Sequence, residues 1–128
     1  MIPHDPHRAL IDRYVAAYNA FDVAGMLSVM HADVRFRNVS NGQETAAADG
    51  RAEFRALAKR GLEIFRSRRQ TIREYYTDGD RAWITVDYQG VLAKNLGPGL
   101  AAGDTLRLVG RSSFTFRDGA IVELVDES

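Results

Sequence analysis

Residues 112–126 read Ser112-Ser113-Phe114-Thr115-Phe116-Arg117-Asp118-Gly119-Ala120-Ile121-Val122-Glu123-Leu124-Val125-Asp126, two alternating runs joined at Asp118-Gly119. Side chains on a strand alternate between its faces, so Ser112, Phe114 and Phe116 share one face of the first run. Val122, Leu124 and Asp126 share one face of the second. Asp-Gly readily supplies the positive φ of a tight hairpin turn. The runs are therefore expected as antiparallel neighbours, spanning 105–117 and 120–126. Upstream, residues 81–94 form another long strand, in which Ile84, Val86 and Tyr88 alternate with Trp83, Thr85 and Asp87. Residues 95–104 are rich in glycine and include Pro98, which predicts an irregular loop. Residues 71–77 form one more strand, turned at Asp78-Gly79. Four strands in succession make an antiparallel sheet.

The first half of the chain changes period. Asp5-Pro6 is a helix start, since Asp caps free amides and Pro suits the first helical position. Leu10, Tyr14, Val15, Tyr18 and Phe21 then fall on one helical face, which Asn19 closes. Asp22 can cap a short second helix carrying Met26, Leu27, Val29 and Met30 and ending near His31. Val34, Phe36 and Asn38 next share one face of a strand. Asn41-Gly42 turns the chain, and residues 44–48 return. Asp49-Gly50 opens a third helix with Phe54, Leu57, Ala58, Gly61 and Phe65 as its buried stripe and Arg51, Arg55 and Lys59 toward water. Glu53 can complete its cap. The order is two helices, two strands, a helix and four strands, an α+β fold in which residues 1–128 form one domain. The first helix is expected on the concave side of the sheet with the third beside it.

At 128 residues the chain is long enough for a core without staples. It has no cysteine, which excludes disulfides, thiolate nucleophiles and Cys-ligated metals and is compatible with a reducing cytoplasm. The N-terminus MIPHDPHRAL lacks the apolar run of a secretory signal, and no stretch suits a membrane span. These features predict a cytoplasmic protein with no membrane partner. Seventeen basic residues balance seventeen acidic ones, so no nucleic-acid partner is expected. The basic excess between Arg51 and Arg73 reads as a solvated helix face followed by a strand entry.

Three segments carry a resemblance: Tyr14-Val15-Ala16-Ala17-Tyr18-Asn19-Ala20-Phe21-Asp22, then Ala32-Asp33-Val34-Arg35-Phe36, then residues 114–123. They resemble the SnoaL-like branch of the nuclear transport factor 2-like superfamily, which includes ketosteroid isomerases, polyketide cyclases and limonene epoxide hydrolase. The resemblance covers nearly the whole chain. It implies a cone-shaped, strongly curved half-barrel sheet and three helices enclosing an apolar pocket. The alternation then turns Tyr14, Tyr18, Met26, Met30, Phe36, Asn38, Phe54, Val86, Tyr88, Ser112, Phe114, Leu124 and Asp126 inward, mostly apolar with a few polar groups, as in small-molecule sites.

Specific chemistries can be weighed on these residues. Tyr14 falls on the donor tyrosine of the isomerases. Their base position holds Asn38 and their second donor position Ser112. An amide cannot abstract a carbon-bound proton, so authentic ketosteroid isomerase activity is not expected. Asn38 also matches a water-holding position of the epoxide hydrolase, but Val86 and Tyr88 stand where its arginine and one aspartate should be. The cyclases use an aspartate as acid or base. Asp126 is the one inward carboxylate, and apolar neighbours should raise its pKa; alternatively it frays into water near the chain end. Tyr14 and Tyr18 need partners when buried, for which Asn38, Ser112 and Asp126 are available. His31 either meets free helix carbonyls or carries protons at the pocket mouth. His4 and His7 complete no metal site, and no cofactor is expected. Gly97, Gly99 and Gly103 do not make a phosphate loop.

Three roles follow: an isomerase, cyclase or hydratase using Asp126 and Tyr14 on a small, largely apolar molecule; a non-catalytic pocket for such a ligand; or an interaction module. For the last, Trp83, Thr85, Arg107, Val109 and Arg111 lie on the outer sheet face, through which the resemblance implies a homodimer.

Overall fold

Asp5 accepts hydrogen bonds from the backbone N–H groups of His7 and Arg8 through Oδ1, each at 3.1 Å. With Pro6 in the first turn, this starts α1 (Pro6–Asn19) in the computed structural model, which describes residues 5–128. Ile11, Tyr14, Val15 and Ala17 are its buried residues. The apolar stripe is thus rotated from the expected one: Ile11 is buried deepest, and Phe21 lies beyond the helix with φ 57°. Asp22 caps α2 (Val23–Ser28) by accepting from the N–H of Gly25.

Strand β1 (Met30–Ser40) starts earlier than the sequence suggests and takes in His31. Asn41 and Gly42, both at positive φ, turn it into β2 (Gln43–Asp49). Helix α3 (Arg51–Ile64) follows Gly50, whose φ of 87° suits glycine. Glu53 accepts from the Asp49 N–H at 3.0 Å, half of a capping box one residue earlier than usual. The remaining strands are β3 (Phe65–Asp78), β4 (Arg81–Leu92), β5 (Thr105–Arg117) and β6 (Ala120–Glu127).

Strand β3 is the largest departure from expectation. It starts at Phe65, counted above in the helical stripe, rather than at residue 71. Phe65 is extended, and its ring packs against Gly90 so closely that a Cβ there would lie 2.8 Å from it. Inward positions of early β3 are Arg68 and Gln70, so no apolar alternation marks the strand. The basic segment is accordingly not all solvated: Arg68 is buried.

The six strands lie in the order β2-β1-β6-β5-β4-β3. All neighbours are antiparallel except β1 and β6, which run parallel. A hairpin cannot join a parallel pair, and here the whole of β2–β5 with α3 intervenes. Register shifts in β1, β3 and the β5–β6 pair bend and twist the sheet, as bulges do. The sheet is curved and unclosed, with β2 and β3 as edges. Helix α1 packs on β3 and α2, while α3 packs on β1, β2, β3 and α2. A core of Ile11, Met26, Val34, Ile84, Phe114 and Leu124, among others, lies between helices and sheet. Among the described residues no helix is long and apolar enough to cross a membrane. No three His, Cys, Asp or Glu side chains gather there into a metal site; His4 lies outside the described residues.

Candidate functional site

The register of three adjacent strands builds the centre of the site. Asn38 on β1 is the partner of Asp126 on β6, and Asp126 is the partner of Ser112 on β5. The three therefore stand abreast on the concave face. Two adjoining cavities open above this row, of about 520 and 300 Å³. The larger falls within the usual range of small-molecule sites. Tyr18, Asn38, Phe65 and Asp126 belong to the walls of both. The larger lies under α1 and α3, between Tyr14, Phe36, Phe54, Leu57, Gly61 and Arg68. The smaller lies over β4 and β5, bounded by Gln70, Val86, Tyr88, Leu106, Leu108 and Ser112.

Asp126 is not frayed. Its neighbour β5 holds it in register to Glu127, and the residue is half-buried, with its carboxyl in the cavity wall. Burial pushes its pKa up to about 6, against the opposing hydrogen bond that Ser112 Oγ donates to Oδ1 over 2.6 Å. The shift thus comes mainly from desolvation, and no neighbouring charge contributes to it.

The tyrosines divide into one pair and one single. Tyr18 and Tyr88 share a hydrogen bond between their hydroxyls at 2.7 Å. Among the described residues the Tyr14 hydroxyl has no protein partner, although its ring packs edge-on against Phe114. Burial, and then the nearby charge of Asp126, raise the Tyr14 pKa well above the ordinary tyrosine range, so it is a neutral donor at physiological pH. Burial likewise raises Tyr18 and Tyr88.

Across the larger cavity, Arg68 donates from Nε to the Tyr18 carbonyl at 3.0 Å. Its guanidinium lies 3.7 Å from the centre of the Tyr18 ring and 4.6 Å from that of Phe21. The neighbouring inward residue, Gln70, has its backbone clamped by Asn19, which accepts from its N–H at 2.8 Å and donates to its carbonyl at 3.1 Å. This ties the end of α1 to β3.

The sequence model of the SnoaL-like domain matches residues 11–124. The chain belongs to the SnoaL-like domain family. No curated protein matches it. Among solved structures it is similar to a protein provisionally named a polyketide cyclase from Xanthomonas campestris pv. campestris, at 26% identity, with 96% of this chain and 90% of that chain covered and a TM-score of 0.76. It is similar in fold to TerC, co-crystallised with polyporic acid, at 24% identity, 95% and 90% coverage and a TM-score of 0.77. A nuclear transport factor 2-like protein of unknown function from Burkholderia pseudomallei shares the fold at 16% identity, 96% and 90% coverage and a TM-score of 0.80.

This SnoaL-like domain gathers Tyr14, Tyr18, Phe36, Asn38, Phe54, Val86, Tyr88, Ser112 and Asp126 around the two cavities. Met30, Phe114 and Leu124, expected among them, instead sit in the closed core and line neither cavity. Phe114, for one, meets the Tyr14 ring of α1 edge-on rather than open space. The expected polar cluster is also split. Asn38 Nδ2 donates to Thr45 at 2.7 Å, and Ser112 serves Asp126, so neither bonds a tyrosine. His31 takes neither expected role. Its Nδ1 accepts from the Asp33 N–H at 3.0 Å and its Nε2 lies 3.4 Å from Asp118, in a strand rather than at a helix end. Of the outer-face residues, Val109 is exposed and Trp83 half-buried under Arg81.

Arg68, Gln70, Phe65, Leu106 and Leu108 escaped the sequence reading. The two leucines continue the even-numbered face of β5 upstream of Ser112, and that period of two is the signal that marks them. For Arg68 and Gln70 a period of two exists, but in polar residues, where an apolar pattern cannot show it.

Proposed function

We propose that this SnoaL-like domain is an acid–base enzyme acting on a small, largely apolar carbonyl compound. Asp126 exchanges the proton, and Tyr14 donates to the oxygen on which charge develops. The observation that carries this reading is the position of the Asp126 carboxyl, in the wall common to both cavities with a pKa of about 6. At neutral pH such a carboxylate is mostly ionised yet basic enough to take a proton, the poise expected of a general base. The unpartnered Tyr14 hydroxyl is a donor already held in place, which needs no rearrangement as charge builds. Asn38, with its amide nitrogen held by Thr45, walls both cavities and takes no proton. The likeness to a protein provisionally named a polyketide cyclase supports isomerisation or ring closure through an enolate.

The test is deuterium exchange. In D2O, Asp126 would remove an α-proton of a neutral bicyclic ketone such as 2-tetralone, Tyr14 would hold the enolate oxygen, and a deuteron would return to the carbon. Exchange followed by proton NMR should rise with pH through about 6 and fall by about 10²–10⁴ in Asp126→Asn, the usual worth of a general base. Equal exchange by both proteins would leave a non-catalytic ligand pocket as the better account. That account is favoured by one observation, the absence of a second carboxyl beside Asp126 among the residues of the smaller cavity except the exposed Glu127.

The outer face of β3–β5 carries Val109, 59% exposed, and Tyr76, 55% exposed. We assign it to a second copy of the chain, the homodimer that the family resemblance implies. The mass of a single protomer by light scattering at micromolar concentration would refute this.

A further inference from the structure

Among the described residues Arg68 is a buried cation without a paired carboxylate. It is 7% exposed, and its Nη2 is withdrawn from solvent and has no hydrogen-bond partner among the described residues. Only Nε is engaged, by the Tyr18 carbonyl, and among those residues no salt bridge reaches the guanidinium. Burying an ionised group without pairing is costly, and five donors served by one acceptor leave most of that cost in place. The fold nevertheless fixes Arg68. Its guanidinium is stacked on Tyr18 and faces Phe21, and its Nη1 lies 3.5 Å from where a Cβ on Gly61 of α3 would stand. That is ordinary van der Waals distance, so α3 passes directly beside the guanidinium. Arg68 also forms part of the wall of the larger cavity, which it shares with the Asp126 carboxyl and the Tyr14 hydroxyl. Among the described residues no salt bridge joins Arg68 to Asp126. At the rim of the same cavity stand the exposed Arg60, Lys94 and Glu63, two cations to one acid.

We infer that Arg68 is the anion-binding group of the larger cavity, so that the ligand carries an anionic oxygen at one end and an apolar body between Tyr14, Phe36, Phe54 and Leu57. A planar guanidinium with free N–H groups suits a carboxylate, and stacking on Tyr18 keeps its edge turned to the ligand. The body of the ligand then spans from Arg68 toward Asp126, which fixes which carbon is presented to the carboxyl. This assignment rests on the reading that the cavity takes a small ligand, and not on whether Asp126 performs chemistry.

Two probes of equal shape test it: 2-naphthoate and its neutral counterpart 2-naphthamide, titrated by calorimetry at pH 7.5 in low salt. The wild type should bind naphthoate at least tenfold more tightly than naphthamide. Arg68→Met should bring the two within twofold by weakening naphthoate alone, and Arg68→Lys should keep part of the preference. Because removing a stacked arginine can disturb folding, a second measurement uses the wild type only. The Nε–H resonance of Arg68 should move on saturation with naphthoate and stay in place with naphthamide. Equal affinity for the two probes with a silent Arg68 resonance would overturn the anion site while leaving a ligand cavity intact. Failure of both probes to bind would be the failure of the cavity reading itself, and the Arg68 assignment would fall with it.

Discussion

Asn38 and Asp126 stand opposite each other on the parallel pair β1–β6, yet the Asn38 amide nitrogen donates to Thr45 at 2.7 Å and leaves the carboxyl to Ser112. One donor is too few to stabilise a buried carboxylate, since several are needed to hold such a pKa down. Burial therefore governs Asp126, and the same arrangement that makes it costly as an anion makes it serviceable as a base.

That cost is measurable as stability. The folded protein holds the Asp126 proton up to about pH 6, whereas the unfolded chain releases it near 3.8. A raised acid pKa means that the folded state binds more protons in this window, so stability falls as pH rises through it. Asp126→Asn carries no charge to bury. The two proteins should be equally stable near pH 3 and diverge as pH rises to 7.5, the variant becoming more stable by up to about 3 kcal/mol at about 1.4 kcal/mol per unit. Urea denaturation at several pH values checks this, and a difference that does not change with pH would refute it.

Tyr14→Phe separates a working hydroxyl from a structural one. With no protein partner to strand, the change should cost less than about 1 kcal/mol in unfolding free energy. Ketone exchange should nevertheless drop by about 10²-fold, as when one donor to a developing oxyanion is lost. A large stability loss with exchange unaltered would assign the hydroxyl to the fold instead.

The Tyr18–Tyr88 pair invites a double-mutant cycle. Either tyrosine changed to Phe strands the other hydroxyl in a partly buried place, at about 1–3 kcal/mol. Removing both should cost less than the sum of the two, with a coupling of about 1 kcal/mol. Strict additivity in denaturant melts would show that the 2.7 Å contact carries no net stability.

Gly90 sets the shape of the cavities from behind. A Cβ there would press to 2.8 Å of the Phe65 ring, which is common to both walls. Gly90→Ala should drive the ring inward, cost about 1–3 kcal/mol as overpacking does, and weaken naphthamide binding severalfold. Unchanged affinity would mean that Phe65 yields in another direction.

Much of the architecture was legible before any coordinates. Asp5-Pro6, Asn41-Gly42 and Asp118-Gly119 mark helix start and turns by backbone chemistry that acts within a few residues, and the structure uses all three. The alternation around Asp118-Gly119 likewise placed Ser112 and Asp126 on one face of neighbouring strands, and they are register partners. The start of β3 was not legible. Its inward residues Arg68 and Gln70 are polar, and what draws them inside is the Tyr18 carbonyl and the Asn19 side chain, 50 and 51 residues away.

The sequence by itself determined the order of helices and strands and which side chains share a face, because period and turn chemistry are local. It could not determine which inward positions border empty space and which are sealed in the core, so Met30, Phe114 and Leu124 looked no different from Phe36 and Phe54. Nor could it set the ionisation of Asp126 or leave the Arg68 guanidinium with the Tyr18 carbonyl as its one acceptor among the described residues. Those depend on the curvature of the sheet, the parallel pairing of β1 with β6 and the packing of α1 and α3 over them. Desolvation and hydrogen bonding are settled by groups that meet only once the chain has closed on itself.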